Sequence, residues 1–326
     1  MKTKLLMFLL VLALMLTGFC LAETTATEGA AQAVDPASLL PEGVVPVTWD
    51  VSADHLMIEG EEARALYERF IEGDYLTMEE LKANHVVAQL DALSAYYKAL
   101  YGNTADIDTP ERDALRKEIT EQFLSLGSAR TDHLDEHGFP VYVYDGPLKS
   151  EYQFELVLGL PASGKSTRIV DPDSEAMSAF ILDPDVIKAE LPEYKESHGA
   201  GADAIHFESM NIFNEAIKAF TEGDMKGVNA ILPIVSSDLN DLMETYIRPF
   251  EAAGYNVKVK FREAKPNEAA SRVVMRELQG GQLISSAVAF SFGDEVEAVY
   301  RELAAMINSK GEPYGYEVEE ALAPAA

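Results

Sequence analysis

Beyond residue 139 the chain alternates short apolar runs with longer stretches of helical periodicity. Strands are predicted at 140–144, 154–158, 179–182, 228–232 and 256–261, where β-branched, aromatic and leucine residues run together. Helices are predicted at 202–222, 238–253 and 267–279, where apolar residues recur three and four apart. Strands alternating with helices predict an α/β fold: a mainly parallel sheet flanked by helices.

Upstream, residues 43–107 read as a helical extension. Residues 61–72 carry helical spacing, and 78–101 is longer, striped by Leu81, Val86, Val87, Leu90, Leu93, Tyr96, Tyr97 and Leu100. Tyr96, Tyr97 and Tyr101 fit helix packing better than ligand stacking. Thr109 and Pro110 suit the N-cap and first position of a further helix running to about residue 127. The main domain is expected over 108–326, and no internal repeat is visible.

The N-terminus follows neither pattern. Lys2 and Lys4 precede an apolar run at 5–16, shorter than the ~20 residues that span a bilayer, and Cys20-Leu21-Ala22 offers small residues at both recognition positions of a signal peptidase. Residues 1–22 are therefore expected to be a signal peptide that exports the protein, with Glu23 the first mature residue. Thereafter no stable membrane insertion is expected. An uncleaved anchor is the alternative, and the two lysines would then place the domain outside. Residues 23–42, small and polar, read as a disordered linker. Cys20 is the only cysteine, so the mature chain has no disulfide.

Charge narrows the partners. With 26 Lys+Arg against 55 Asp+Glu, the net charge is −29. Nucleic acid is excluded as an expected partner, because binding it needs a basic surface. An anionic ligand needs a local island of positive charge.

Such a ligand is nevertheless indicated. Residues 159–166, GLPASGKS, match the phosphate-loop pattern G-x-x-x-x-G-K-[ST] directly behind the predicted strand 154–158. Gly159 and Gly164 permit close backbone approach, and the N–H groups across Ala162, Ser163, Gly164, Lys165, Ser166 and Thr167 can face phosphates. Lys165 is expected on the β- and γ-phosphates of ATP, and Ser166 on Mg2+. Downstream, Asp183-Pro184-Asp185 ends the next predicted strand, where ligands of open parallel sheets bind. These carboxylates can orient Mg2+ or accept a hydroxyl proton, and they equally suit a helix start.

Together, GLPASGKST, DPDVIKAELPEY (183–194) and GADAIHFES (201–209) resemble the zeta-toxin family of P-loop kinases. Thr109-Pro110-Glu111-Arg112, Gly254-Tyr255-Asn256-Val257 and the arginines of 271–276 extend the resemblance over about 108–285. It implies transfer of the γ-phosphate of ATP to a hydroxyl of UDP-N-acetylglucosamine or another small molecule. By the same resemblance Asp185 is the catalytic base, Lys165 with Arg272 or Arg276 stabilises the transferring phosphoryl group, and His206, Glu208 and Ser209 border the substrate. It also implies an antitoxin or immunity protein as partner.

Competing readings stand beside these. Glu268 can pair with Arg272, and Glu208 and Ser209 suit a helix start. The family's acidic-Gly-Thr segment with arginine is absent from 231–237, and Gly280-Gly281-Gln282 stands where a basic residue is expected. The alternative function is an exported nucleotide-binding protein with a degenerate, non-catalytic kinase site.

Overall fold

The computed structural model describes residues 35–126 except 53, then 129–134, 140–144, 147–308 and 318–319. The expected signal peptide and the first part of the expected linker lie outside the described residues. From Asp35 onward the chain forms one compact unit. The linker's last residues are structured: Asp35 caps the 3₁₀ turn Pro36–Leu39, and Leu40 packs on apolar neighbours.

The helical extension consists of α1 (Glu61–Ile71), α2 (Met78–Lys82) and α3 (His85–Tyr101). The single helix expected over 78–101 is thus broken. Asn84 Oδ1 accepts from the Val86 N–H at 2.9 Å and starts α3 afresh, as short polar side chains do when they compete for backbone donors. A capping box between Thr77 and Glu80 opens α2. Next, α4 (Pro110–Ser125) begins as expected, Thr109 Oγ1 accepting from the Arg112 N–H at 3.2 Å.

The strand expected at 140–144 forms, but outside the main sheet. It is β2 (Pro140–Tyr144), antiparallel to β1 (Ala129–Leu134). A local hairpin closes a far shorter loop than a place in the main sheet would.

That sheet holds β3 (Gln153–Gly159), β4 (Phe180–Ile181), β5 (Ala230–Ile234), β6 (Asn256–Arg262) and β7 (Val318–Glu319), in the order β4-β5-β3-β6-β7, each neighbouring pair parallel. Central β3 is buried on both faces, as its largely apolar sequence demands. Its exception, Glu155, is buried 3.4 Å from Lys260 and near Asp173; burial first, then the shared carboxylate, pushes it up to about 8.

Helices α5 (Pro184–Glu190), α6 (His206–Thr221), α7 (Pro266–Leu278) and α8 (Asp294–Asn308) follow strands of this sheet. The expected helix at 238–253 is continuous but irregular, with wider π-type turns at Leu242–Ile247 between Leu239–Asp241 and Arg248–Ala253. Among the described residues no helix is long and apolar enough to cross a membrane.

Three apolar clusters form among the described residues, the smallest joining Val157, Ile169, Val170, Ala179, Ile181 and Ile231. The largest packs α4, α6 and α8 on the sheet around Phe154, Phe180, Phe213 and Phe250. The second joins Phe70, Leu81, Leu90 and Leu93 of the extension to Ala270, Val273, Val274 and Leu278 of α7. Each fully buried leucine or phenylalanine contributes about 1.5–3 kcal/mol. The extension is therefore part of the molecule's core, seated on the helix that carries Arg272 and Arg276.

Candidate active site

The phosphate loop leaves the carboxyl end of β3. A Cβ at Gly159 would sit 2.8 Å from the Arg262 carbonyl oxygen of β6, so only glycine fits where these strands end. Gly164 holds φ at +85°, a conformation that costs other residues about 1–2 kcal/mol. Ala162 also has positive φ, at 52°. The loop turns tightly beyond the strand ends, where ligands of open parallel sheets bind.

Lys165 is half-buried beneath it. Its ammonium donates to the carbonyls of Gly159 and Leu160 at 3.0 and 2.9 Å. Desolvation first, then the nearby Arg276 charge, lowers it to about 8. Ser166 and Thr167 are exposed, and the buried Ser163 hydroxyl has no hydrogen-bond partner. A partnerless buried hydroxyl and a desolvated ammonium fit a cradle whose anion supplies further contacts.

Asp183 and Asp185 part roles. Asp183 caps α5, its Oδ1 accepting from the Asp185 N–H at 2.9 Å. The Asp185 carboxylate accepts from Lys188 at 3.2 Å and from the Gln282 amide at 2.6 Å. Burial alone would raise its pKa; the charges of Lys188 and Arg276 outweigh that and hold it below the usual carboxylate range. Arg276 acts on both Lys165 and Asp185, and its Nε is buried without a partner. Lys165, Lys188 and Arg276 make up the positive island that so acidic a chain needs.

Three of the expected site residues are engaged elsewhere. Arg272 donates to the Tyr75 hydroxyl at 3.2 Å, lies 5.1 Å over that ring and pairs with Glu268 at 3.4 Å. Glu208 is wholly buried, bound by Arg112 at 2.7 and 2.5 Å and by Arg116 at 2.7 Å. Arg112 also grips Glu193 through two bonds of 2.9 Å. Glu208 thus ties α4 to α6 and does not face a substrate. Ser209 is equally buried and donates back to the His206 carbonyl at 2.8 Å. His206 stays exposed at the start of α6, where partial desolvation and then Lys188 lower its pKa, so it is neutral near pH 7.

Gln282 and Lys188 escaped the sequence reading as site residues, because neither type at that spacing announces chemistry. The only signal was the stretch 280–282, noted for what it lacked. For a divalent ion, the described residues hold no cluster of three or more His, Cys, Asp or Glu. The exposed Ser166 hydroxyl, completed by phosphate oxygens, fits Mg2+, which takes few protein ligands beside a nucleotide.

A scan against family models matches residues 151–307 to Zeta toxin, a span that contains the phosphate loop, Asp185 and α7. This segment is a zeta-toxin-family domain. It carries a P-loop kinase fold, as the parallel sheet and loop independently require. No curated protein matches significantly. Among solved structures, the chain is similar to one from a study of the PezAT chromosomal toxin–antitoxin system of Streptococcus pneumoniae: 15% identity, 60% of this chain and 74% of that one covered, TM-score 0.42. It is also similar to the native AvrRxo1-ORF1:ORF2 complex (16%, 71% and 67%, 0.48) and to that complex with ATP (15%, 66% and 63%, 0.43). The family match and the site geometry decide the assignment of the zeta-toxin domain.

Proposed function

We propose that the chain is an exported ATP-dependent kinase that phosphorylates a hydroxyl of a small molecule, with UDP-N-acetylglucosamine the first acceptor to test. The observation that carries this reading is the meeting of Lys165, Arg276 and Asp185 at the strand ends. Lys165 and Arg276 neutralise the triphosphate, and Ser166 would hold a Mg2+ ion, which would supply further charge neutralisation there. Asp185 accepts the acceptor's hydroxyl proton while a new O–P bond forms at the γ-phosphorus. The β–γ bridging bond breaks, and ADP leaves with that electron pair. A cavity of about 170 Å³ opens beside Leu160 of the phosphate loop, lined by Phe261, Ala264 and Pro266 and also by Glu263, Lys265, Asp294 and Glu297.

The acceptor side is less defined. Residues 233–237 present no acid or arginine, so a sugar nucleotide would be held by other groups, His206 among them. The family membership supports a protein inhibitor as partner, and the apolar segment at 5–16 supports export.

The test incubates the protein lacking residues 1–22 with γ-labelled ATP, Mg2+ and a panel of sugar nucleotides beside a cell-metabolite extract. Labelled product is expected, and Asp185→Asn should lower its rate about 10²–10⁴-fold. Wild-type transfer by that variant removes Asp185 as base. No transfer to any acceptor by the wild type favours the non-catalytic nucleotide-binding reading.

A further inference from the structure

The carboxylate of Asp185 sits in a closed ring of hydrogen bonds. Gln282 Nε2 donates to its Oδ2 at 2.6 Å, Lys188 donates to its Oδ1 at 3.2 Å, and Lys188 also donates to Gln282 Oε1 at 2.9 Å. Lys188 and Gln282 are both 8% exposed, whereas the Asp185 side chain is 45% exposed. The two partners are packed in and the carboxylate looks out. A carboxylate offers about four acceptor positions, so two remain for an incoming hydroxyl.

The backbone at Gln282 is fixed on both sides. A Cβ at Gly281 would meet Arg276 Cγ at 2.5 Å, and Gly281 N–H donates to the Arg276 carbonyl at 2.8 Å. The turn after α7 therefore folds tightly onto that helix. On the other side, Leu283 N–H donates to the Gly199 carbonyl at 3.1 Å. At Gly280 a Cβ would strike Val51 of the helical extension at 2.9 Å.

We propose that Gln282, together with Lys188, is a positioning residue for Asp185: it fixes the carboxylate's orientation and keeps it ionised and aimed at the acceptor hydroxyl. The inference rests on Asp185 being the base. It gives a role to the position where a basic residue was expected. A neutral amide there donates to the base while accepting from Lys188, which an arginine or lysine cannot do. The charged or titratable groups around Asp185 are Lys188 on its own helix, Arg276 from α7, Lys165 from the phosphate loop and His206 from α6.

The sign follows from the donors. Gln282→Glu keeps the acceptor for Lys188, removes the donor to Asp185 and adds a second carboxylate beside it. Each change disfavours the ionised form, so the Asp185 pKa rises. Gln282→Met keeps the bulk and loses both bonds.

The experiment uses the full mature chain, with turnover of ATP followed with water and with UDP-N-acetylglucosamine as acceptors. Expected for Gln282→Glu is a fall in kcat of about 10- to 100-fold, the cost of a misplaced catalytic group. KM for ATP should stay unchanged, and the acid limb of the kcat/KM profile should move up by about one pH unit. In parallel, the Asp185 carboxyl carbon, assigned by its loss in Asp185→Asn, is titrated by NMR in wild type, Gln282→Glu and Gln282→Met, which needs no turnover. An upward shift of its midpoint in both variants supports the inference. An unmoved midpoint overturns it, as does activity lost only in step with thermal stability. Asp185→Asn turning over ATP at the wild-type rate defeats the base assignment instead, whatever the carboxyl titration shows.

Discussion

Replacing Glu208 with alanine separates a structural role from a substrate-binding one. Glu208 is 0% exposed, and Arg112, at 9%, has no water to turn to once its partner is gone. Breaking a buried pair by removing one member costs about 3–5 kcal/mol, because a charge is left uncompensated. Arg112 keeps both bonds to Glu193, so Glu208→Ala belongs near the lower end, about 3 kcal/mol. At about 2.1 cal/mol/K per residue, a unit of this size loses about 1.5–2 °C of Tm per kcal/mol, which predicts a fall of about 4–6 °C. Urea unfolding followed by far-UV circular dichroism should show a lower midpoint with an unchanged m-value. The pH dependence adds a second readout. Burial would raise the Glu208 pKa, but the bonds from Arg112, Thr104 and Arg116 outweigh it and hold it below the usual value. Its stabilisation is thus complete above its unfolded pKa of about 4.3 and is lost as pH falls through the lower native value. Glu208→Gln should flatten that acid limb. A Glu208→Ala variant with wild-type unfolding and only a raised KM for the acceptor would refute this reasoning and return Glu208 to the substrate.

Three further outcomes follow from the site and its support. Lys165 loses its proton near pH 8 in the free protein, so ATP affinity by calorimetry should weaken above that pH, approaching tenfold per unit, with proton uptake on binding; a flat profile from pH 7 to 9.5 would contradict the buried ammonium. Gly164→Ala, which has open space but φ of +85°, should cost about 1–2 kcal/mol and weaken ATP binding, whereas Gly102→Ala, also at positive φ (+69°), should cost stability alone. Removing residues 35–107 should yield an insoluble or molten chain by dye binding and circular dichroism, because Val273, Val274 and Leu278 of α7 would lose their cover.

Local chemistry made much of this protein legible in its sequence. Period and run length located four of the five parallel strands, β7 excepted, since strands buried in a sheet are largely apolar. Thr109-Pro110 and Asp183-Pro184 announced helix starts, because capping depends on adjacent residues. The phosphate loop was readable for the same reason: its glycines, lysine and serine act within eight consecutive residues. What joins distant segments was not readable. Arg112, Glu193 and Glu208 each belong to a separate motif, and nothing in their spacing says that they form one buried ion network. Asp185 and Arg276 were identified by type, but the capture of Arg272 by Tyr75 and of Asp185 by Gln282 depends on where the helical extension and the turn after α7 come to rest. Sequence by itself determined the elements and the donor end of the site. Tertiary structure decided which charges stay open to a ligand, because burial and pairing, set by residues far apart in the chain, separate a sealed carboxylate such as Glu208 from a half-exposed one such as Asp185.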